Sequence, residues 1–314
     1  MYTIAINVTP IFLLILLGWG LVRTNFLKDH IGDALGEFVF KVAVPILLFK
    51  TISSADFHGV SPFRLWAVYF AGVAITWSTG HIIATRFFGR DARAGVLAGV
   101  SSAFANNVFI GLPLVSRIVG PDGVVALSIL LAIHLPLMMV TGTVLMENAD
   151  RTVSGHASRS FPLLLQQIAF NLLRNPLVIG LAAGLAVHFV GLPLPHVIDT
   201  VLEQIAGIAA PAALISLGMA LNKYGISGNI GLASVISGLK LFLLPACVWG
   251  ASHLLGLSPD QTAAMVLTSA VPTGINAWLI ANRFGVGHGL TASTITITTV
   301  VGVATVSFWT WLIL

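Results

Sequence analysis

The sequence predicts an all-α polytopic membrane protein in which ten transmembrane helices form two inverted five-helix repeats. Three observations carry that prediction. Of the 314 residues, 57% are hydrophobic and 8% charged, with a mean hydropathy of +0.97, too little polar surface to coat a water-soluble globule. At a fixed offset of 166 residues, Pro10 meets Pro176, Gly18 meets Gly184, His30 meets His196, Asp33 meets Asp199, Glu37 meets Glu203, Ala43 meets Ala209, Pro45 meets Pro211 and Leu48 meets Leu214. Two pairs of acids, a His pair and two Pro pairs in one ungapped register mark an internal duplication. Third, the basic residues segregate to alternate connections, as a polytopic chain requires.

About 20 mostly apolar residues cross a hydrocarbon core, and charged or Pro/Gly punctuation delimits the segments at 4–22, 33–54, 63–85, 94–119, 122–146, 175–192, 197–220, 229–256, 261–284 and 287–313. The first lacks a basic leader and a small-residue cleavage site and is read as a spanning helix. The second carries Glu37 and Lys41 four apart, a spacing that pairs them on one face, and Pro45, which with Pro211 of the seventh is expected to bend the two helices symmetrically. The third holds Trp77-x-x-x-His81, repeated as Trp249-x-x-x-His253 in the eighth. The fifth contains His134. Residues 147–160 form a polar linker between a first repeat at 1–146 and a second at 161–314, whose opening stretch, 161–174, reads as an interfacial amphipathic helix. The seventh segment carries Glu203, whose repeat mate Glu37 has a lysine partner that Glu203 lacks, so that Glu203 suits an outer vestibule. In the eighth, Lys240 lies too deep for easy snorkelling and could balance a substrate carboxylate or cap a freed carbonyl. Barrel strands are excluded by the absence of period-two alternation.

Five crossings per repeat force the second copy to enter from the opposite face. With both termini outside, ten of the 15 basic residues fall in cytoplasmic connections, two outside (Arg64 and Arg117) and three within helices. The pI near 9.6 then reflects topology and anionic lipid, with no nucleic-acid partner needed. Cys247 is the sole cysteine, which rules out an internal disulfide. No metal-ligand spacing appears among the scattered histidines, and no cofactor is expected.

The fourth segment places Asn106 and Asn107, then Gly111 and Pro113, at mid-span; the ninth places Pro272, Gly274 and Asn276 at the equivalent depth. Proline removes a backbone donor and clashes with the preceding turn, freeing polar backbone where lipid cannot satisfy it. One break is an ordinary kink; two at corresponding places in an inverted repeat point to a transporter site at the repeat interface. Half-helix N-termini and uncharged amides suit an anion, and no acid lies near either break to bind an organic cation. His81, His253 and His134 are candidate proton relays, with hydrogen-bonded structural roles as the plainer reading.

Asn106-Asn107-Val-Phe-Ile-Gly-Leu-Pro-Leu114, Pro272-Thr-Gly-Ile-Asn-Ala277 with Leu279-Ile-Ala-Asn-Arg-Phe-Gly285, and Lys240-Leu-Phe-Leu-Leu-Pro245 resemble motifs of the auxin efflux carrier family. The chain is most similar to its short bacterial members, often called malonate transporters, and lacks the long central loop of many plant relatives. One departure is Val108, where many relatives have a small residue. The resemblance implies a fold shared with bile-acid symporters and an elevator-type transporter. Helices 1, 2, 6 and 7 would be a dimerising scaffold, and helices 3–5 and 8–10 would move against it in the cytoplasmic membrane. It further implies a small organic anion, mono- or dicarboxylate, bound at Asn106, Asn107, Pro113, Pro272, Gly274 and Asn276, with Lys240 as a further substrate-binding candidate. Glu37, Lys41 and Glu203 join the three histidines as coupling or gating candidates. Proton and sodium coupling both stay open, a sodium-coupled bile-acid-type symporter being the alternative within transport. A channel or sensor scaffold is a lesser alternative, since broken helices also line pores. An intramembrane enzyme built on Ser101 or Ser102 with His134 lacks any supporting G-x-S-x-G or H-E-x-x-H spacing, so no enzymatic activity is expected.

Overall fold

The computed structural model describes residues 2–55, 60–154, 173–191, 194–228 and 230–314, together with Gln166 and Phe170. Among these residues every regular element is helical and no strand forms. In chain order the helices are α1 (Tyr2–Arg23), α2 (Asp29–Phe38), α3 (Val44–Ser53), α4 (Pro62–Ile82), α5 (Ala92–Ala103), α6 (Leu112–Ile118) and α7 (Pro121–Ser154). After the 155–172 region follow α8 (Pro176–Val190), α9 (His196–Ala220), α10 (Ile230–Gly238), α11 (Leu244–Leu254), α12 (Pro259–Ala270), α13 (Asn276–Phe284) and α14 (His288–Ile313). Six helical stretches among the described residues are long and apolar enough to cross a membrane, and Asn107–Ile118 and Pro176–Val190 are shorter apolar helices. The fourth and ninth predicted segments are each split into two pieces. Helix α7 runs past residue 146 into the stretch read as linker, because its polar end is paired: Arg93 Nη1 donates to Asp150 Oδ1 at 3.2 Å. Residues 155–160 and most of the interfacial helix expected at 161–174 lie outside the described residues.

Of the four π-helical turns among the described residues, Ile83–Phe87 closes α4 with no proline after it, and the other three, Val39–Ala43, Asn107–Gly111 and Leu239–Leu243, share one cause. Each ends two residues before a proline, Pro45, Pro113 and Pro245. A proline has no N–H to donate and its ring strikes the carbonyl four residues back; a wider turn at that carbonyl moves it aside and lets the helix continue. Pro211 differs: it sits inside the continuous α9, so the symmetric pair of prolines is accommodated in two different ways.

One group of helices packs α1 on α9, α3 on α8, and α9 on both α2 and α3. The backbones approach so closely that only glycine fits. A Cβ on Gly18 would fall 2.1 Å from the Ile215 carbonyl oxygen, and one on Gly184 would fall 2.7 Å from that of Phe49. Those two contacts are images of each other at the 166-residue offset. Gly218 against Ile15 and Gly180 against Pro45 are tighter still or similar, at 1.9 and 2.4 Å. The α2–α3 unit and α9 run antiparallel and are tied at both ends, Lys223 Nζ to Asp33 and Lys50 Nζ to Asp199, each at 2.5 Å. Asp33 and Asp199 stand 166 residues apart, so the offset seen in the sequence also relates the acids of the two end-ties. Pairs this exposed contribute little stability and serve to fix register.

The second group packs α4 on α5 and α11, α11 on α12, α7 on α5 and α12, and α10 on α14. The outer ends of the two split segments are capped alike. Asp91 Oδ1 accepts from Ala94 N–H at 2.8 Å, and Ser258 with Gln261 forms a reciprocal capping box, satisfying donors that a helix start leaves open.

Overpacking a fitted contact costs on the order of 1–3 kcal/mol. Gly218→Val is therefore expected to lower the thermal unfolding temperature of the detergent-solubilised protein by several degrees. Gly238→Ala, where an added Cβ meets nothing within 4 Å, should leave it unchanged or raised; equal behaviour of the two variants would contradict the close-approach account.

Candidate functional site

The two broken segments cross and are sewn together through their backbones. Helix α12 ends at Ala270 because Val271 precedes a proline and is held extended, at φ −65° and ψ 156°. Helix α5 ends at Ala103, and Phe104 is likewise extended. Ala105 and Thr273 then form an isolated antiparallel bridge, in which Asn106 N–H donates to Pro272 O at 3.0 Å and Gly274 N–H to Phe104 O at 2.7 Å. Gly274 suits this close approach, since a Cβ would sit 3.3 Å from the Ala105 carbonyl oxygen and press on it. Thr273 completes the seam: its hydroxyl donates to Ser101 O at 2.7 Å and its N–H to Thr298 Oγ1 at 3.1 Å.

Lys240, fully buried on its π-helical turn, donates to Ser269 O at 2.6 Å and Val271 O at 2.5 Å. These are carbonyls that the end of α12 leaves without a helical donor, at the negative end of its dipole. Of the two roles open to Lys240 from sequence, its contacts are those of the carbonyl cap, and it does not line either cavity at the crossing.

Beyond the seam both chains resume as helices. The Asn106 side chain accepts from Phe109 N–H at 3.3 Å, capping the π-helical turn and α6, and Asn276 opens α13. Asn106, Asn107, Asn276 and His134 face a cavity of about 330 Å³ whose remaining wall is largely apolar, including Phe40, Phe109 and Leu135. Its mouth carries Asp33 and Glu37, so the expectation that no acid lies near the breaks does not hold in space: helix α2 brings two carboxylates to the crossing. Each has a lysine partner, Lys223 for Asp33 and the adjacent Lys41 for Glu37. Beside the mouth, burial and the Asp33 carboxylate push the Tyr224 phenol up to about 12, so it stays protonated. Among the described residues no Lys or Arg lines this cavity.

A second cavity of similar size, bordered by Lys50, Pro113 and Glu203, lies along the first turn of α6. Val108 is the residue common to both linings. The predicted residues thus separate: Asn106, Asn107, Asn276, His134 and Glu37 gather at the first cavity, Pro113 and Glu203 at the second. Pro272 and Gly274 are buried in the seam, and Pro45 packs against α8. His81 packs by Gly95, and His253 lies edge-on to Trp249 with a centroid distance of 5.3 Å; neither borders a crossing cavity.

Sequence reasoning missed Tyr69. It is fully buried on α4, and its hydroxyl accepts from Asn107 Nδ2 at 3.2 Å and lies 3.4 Å from His134 Nε2. A lone phenol inside an apolar segment was the available signal, since a buried Tyr hydroxyl needs a partner.

With this geometry in view, comparison with known proteins is decisive for the family. The sequence profile described as membrane transport protein matches residues 3–310. The chain belongs to this family, the auxin efflux carriers. Among similar proteins of this transporter family, an "Uncharacterized transporter" of Methanothermobacter thermautotrophicus is 26% identical over 96% of both chains. A "Putative malonate transporter" of Rhizobium meliloti is 27% identical over 98% of this chain and 94% of its own. The "Lysosomal cholesterol signaling protein" of Mus musculus is 23% identical over 66% of this chain but only 24% of its own length. The protein is thus a membrane transporter by family.

Removing the Lys240 ammonium strands the Ser269 and Val271 carbonyls in the membrane interior, at a cost of about 1–3 kcal/mol for each unsatisfied group. Lys240→Met is expected to lower thermal stability in detergent markedly. A variant as stable as the parent would show that the cap is not structural.

Proposed function

We propose that this protein is a secondary transporter that moves a small organic anion across the cytoplasmic membrane by alternating access, with the carboxylate held at the crossing. The observation that carries the reading is the first cavity itself. Three amides at the starts of half-helices and one imidazole meet in a mostly apolar chamber whose charged lining residues, Asp33 and Glu37 at its mouth, are each paired with a lysine. Backbone N–H groups at helix starts and neutral amide donors can hold one carboxylate. A second carboxylate on the same molecule would meet Phe and Leu side chains, an expensive place for a charge. The cavity therefore favours a monocarboxylate with an apolar body over a dianion, although one relative bears a malonate name.

Ten crossings in two inverted repeats remain the topology that best accounts for the chain. The 166-residue offset relates the Gly18–Ile215 and Gly184–Phe49 contacts, and it relates the Asp33 and Asp199 end-ties. With both termini outside, the first cavity opens to the cytoplasm and the second to the exterior, divided at Val108. The group containing the crossing, α4–α7 and α10–α14, would slide against α1–α3 with α8 and α9, and the latter would form the homodimer contact. Sodium coupling is the weaker alternative, because the carbonyls freed at the end of α12, which a sodium ion would seek, already hold an ammonium.

A lost hydrogen bond to a charged group is worth about 1.5–3 kcal/mol, roughly a ten- to hundredfold change in affinity. In proteoliposomes tested with labelled propionate, phenylacetate and malonate, with and without imposed proton and sodium gradients, Asn107→Ala and Asn276→Ala should each reduce monocarboxylate uptake by that order. Asn282→Ala, exposed near the end of α13, should have no effect. Equal small effects at all three positions would place the ligand elsewhere.

A further inference from the structure

The imidazole of His134 borders the first cavity yet is held from behind by two hydrogen-bonding groups. Asn107 Nδ2 lies 3.3 Å and the Tyr69 hydroxyl 3.4 Å from the same ring nitrogen, Nε2. Asn107 Nδ2 also donates to the Tyr69 oxygen at 3.2 Å. The proton bookkeeping has one consistent solution with this amide orientation. The amide's two hydrogens go to the Tyr69 oxygen and to Nε2, and the phenolic hydrogen, with its oxygen already accepting, points to Nε2 as well. Two donors converging on one nitrogen require it to be unprotonated, which leaves the proton of the neutral ring on Nδ1.

The opposite amide orientation would put Asn107 Oδ1 between Tyr69 and His134 and move its NH2 to the sealed site beside Gly111. The atom now at that site, Oδ1, has no partner. An under-satisfied carbonyl oxygen is tolerated in protein interiors more readily than orphaned donors, so the first orientation is preferred. The ring cannot easily turn to exchange its nitrogens. It stands edge-on to Tyr69 and Phe104, at centroid distances of 5.4 and 5.3 Å, and stacks on Phe70 at 6.4 Å.

We infer that Tyr69 and Asn107 lock His134 in the Nδ1–H tautomer, so that the imidazole presents a fixed neutral N–H donor beside Asn106 and Asn276 at the first cavity, while Asn107, its amide hydrogens spent on Tyr69 and Nε2, acts through the ring. Tyr69 is then a positioning residue acting through His134, and His134 is a ligand-holding group and not a proton relay. The inference rests on the carboxylate reading of this cavity for its ligand, but the tautomer itself can be read without any ligand.

The full chain, labelled with 15N-histidine and reconstituted in lipid bilayers, provides the test. The His134 signals are assigned by their loss in His134→Asn. Solid-state NMR should show a protonated Nδ1 and an unprotonated Nε2, and Tyr69→Phe, which preserves the ring packing, should produce a mixture of tautomers. Uptake of labelled propionate and phenylacetate gives the functional arm. His134→Asn, whose amide N–H can stand where Nδ1–H stood, should keep uptake within about threefold. His134→Gln, whose amide reaches toward the Nε2 position, and His134→Leu should each lose about tenfold or more, the size of one lost bond to a charged group. An Nε2–H tautomer in the parent protein, or rescue by Gln in place of Asn, overturns the inference. If the parent protein takes up neither acid while the Nδ1–H tautomer is present, the substrate reading fails and the locked donor stands.

Discussion

Polar backbone cannot be left open in hydrocarbon, where each unsatisfied group costs several kcal/mol, and this constraint organises the whole molecule at the point where α5 and α12 stop. The pair of hydrogen bonds across the Ala105–Thr273 bridge closes part of that deficit. The other residues of the crossing follow from it. Gly274 eases the close approach of the two extended segments, Thr273 ties the seam to α5 and α14, and Lys240 covers carbonyls that the bridge does not reach. A fixed positive charge buried in a transporter invites assignment to the substrate; here its partners are the fold's own oxygens.

Satisfying the crossing in this way frees its other face. The restarting half-helices direct Asn106, Asn107 and Asn276 into a chamber, and the chamber is neutral because the nearby charges are spent elsewhere: Lys223 on Asp33, Lys41 on Glu37, Lys240 on α12. Val108, on the π-helical turn that Pro113 imposes, stands between this chamber and the second one. The same proline chemistry thus opens the backbone, shapes the turn and sets the partition. In the alternating-access reading, the antiparallel α2–α3 and α9, tied at both ends by Lys–Asp pairs, form the rigid wall against which the crossing moves.

Much of this was legible in the sequence where chemistry is local. Pro113, Pro272 and Gly274 announce broken helices within a few residues of themselves, and the duplicated Asp33 and Asp199 announce paired roles. What depends on partners distant in sequence was not legible. Lys50 and Lys223, which complete the two end-ties, do not share the repeat offset, so their equivalence shows only in space. Lys240 offered two roles of equal plausibility until its distances to Ser269 and Val271 were known. Tyr69 meets Asn107 and His134 only because three helices converge, and nothing around it in the chain signals that. The polar residues after 146 read as linker because the salt bridge that keeps them helical reaches back to Arg93.

The central claim is that a carboxylate sits at the crossing amides. Anomalous diffraction from crystals soaked in 3-bromopropionate, collected at the bromine edge, measures this directly. The account predicts a bromine peak in the first cavity, near Phe109 and Leu135, with the carboxylate directed at Asn276 and His134 beside Asn106. A peak confined to the second cavity beside Lys50, or to the groove that Phe12 and Trp19 of α1 and Val300 and Val303 of α14 line, would contradict it.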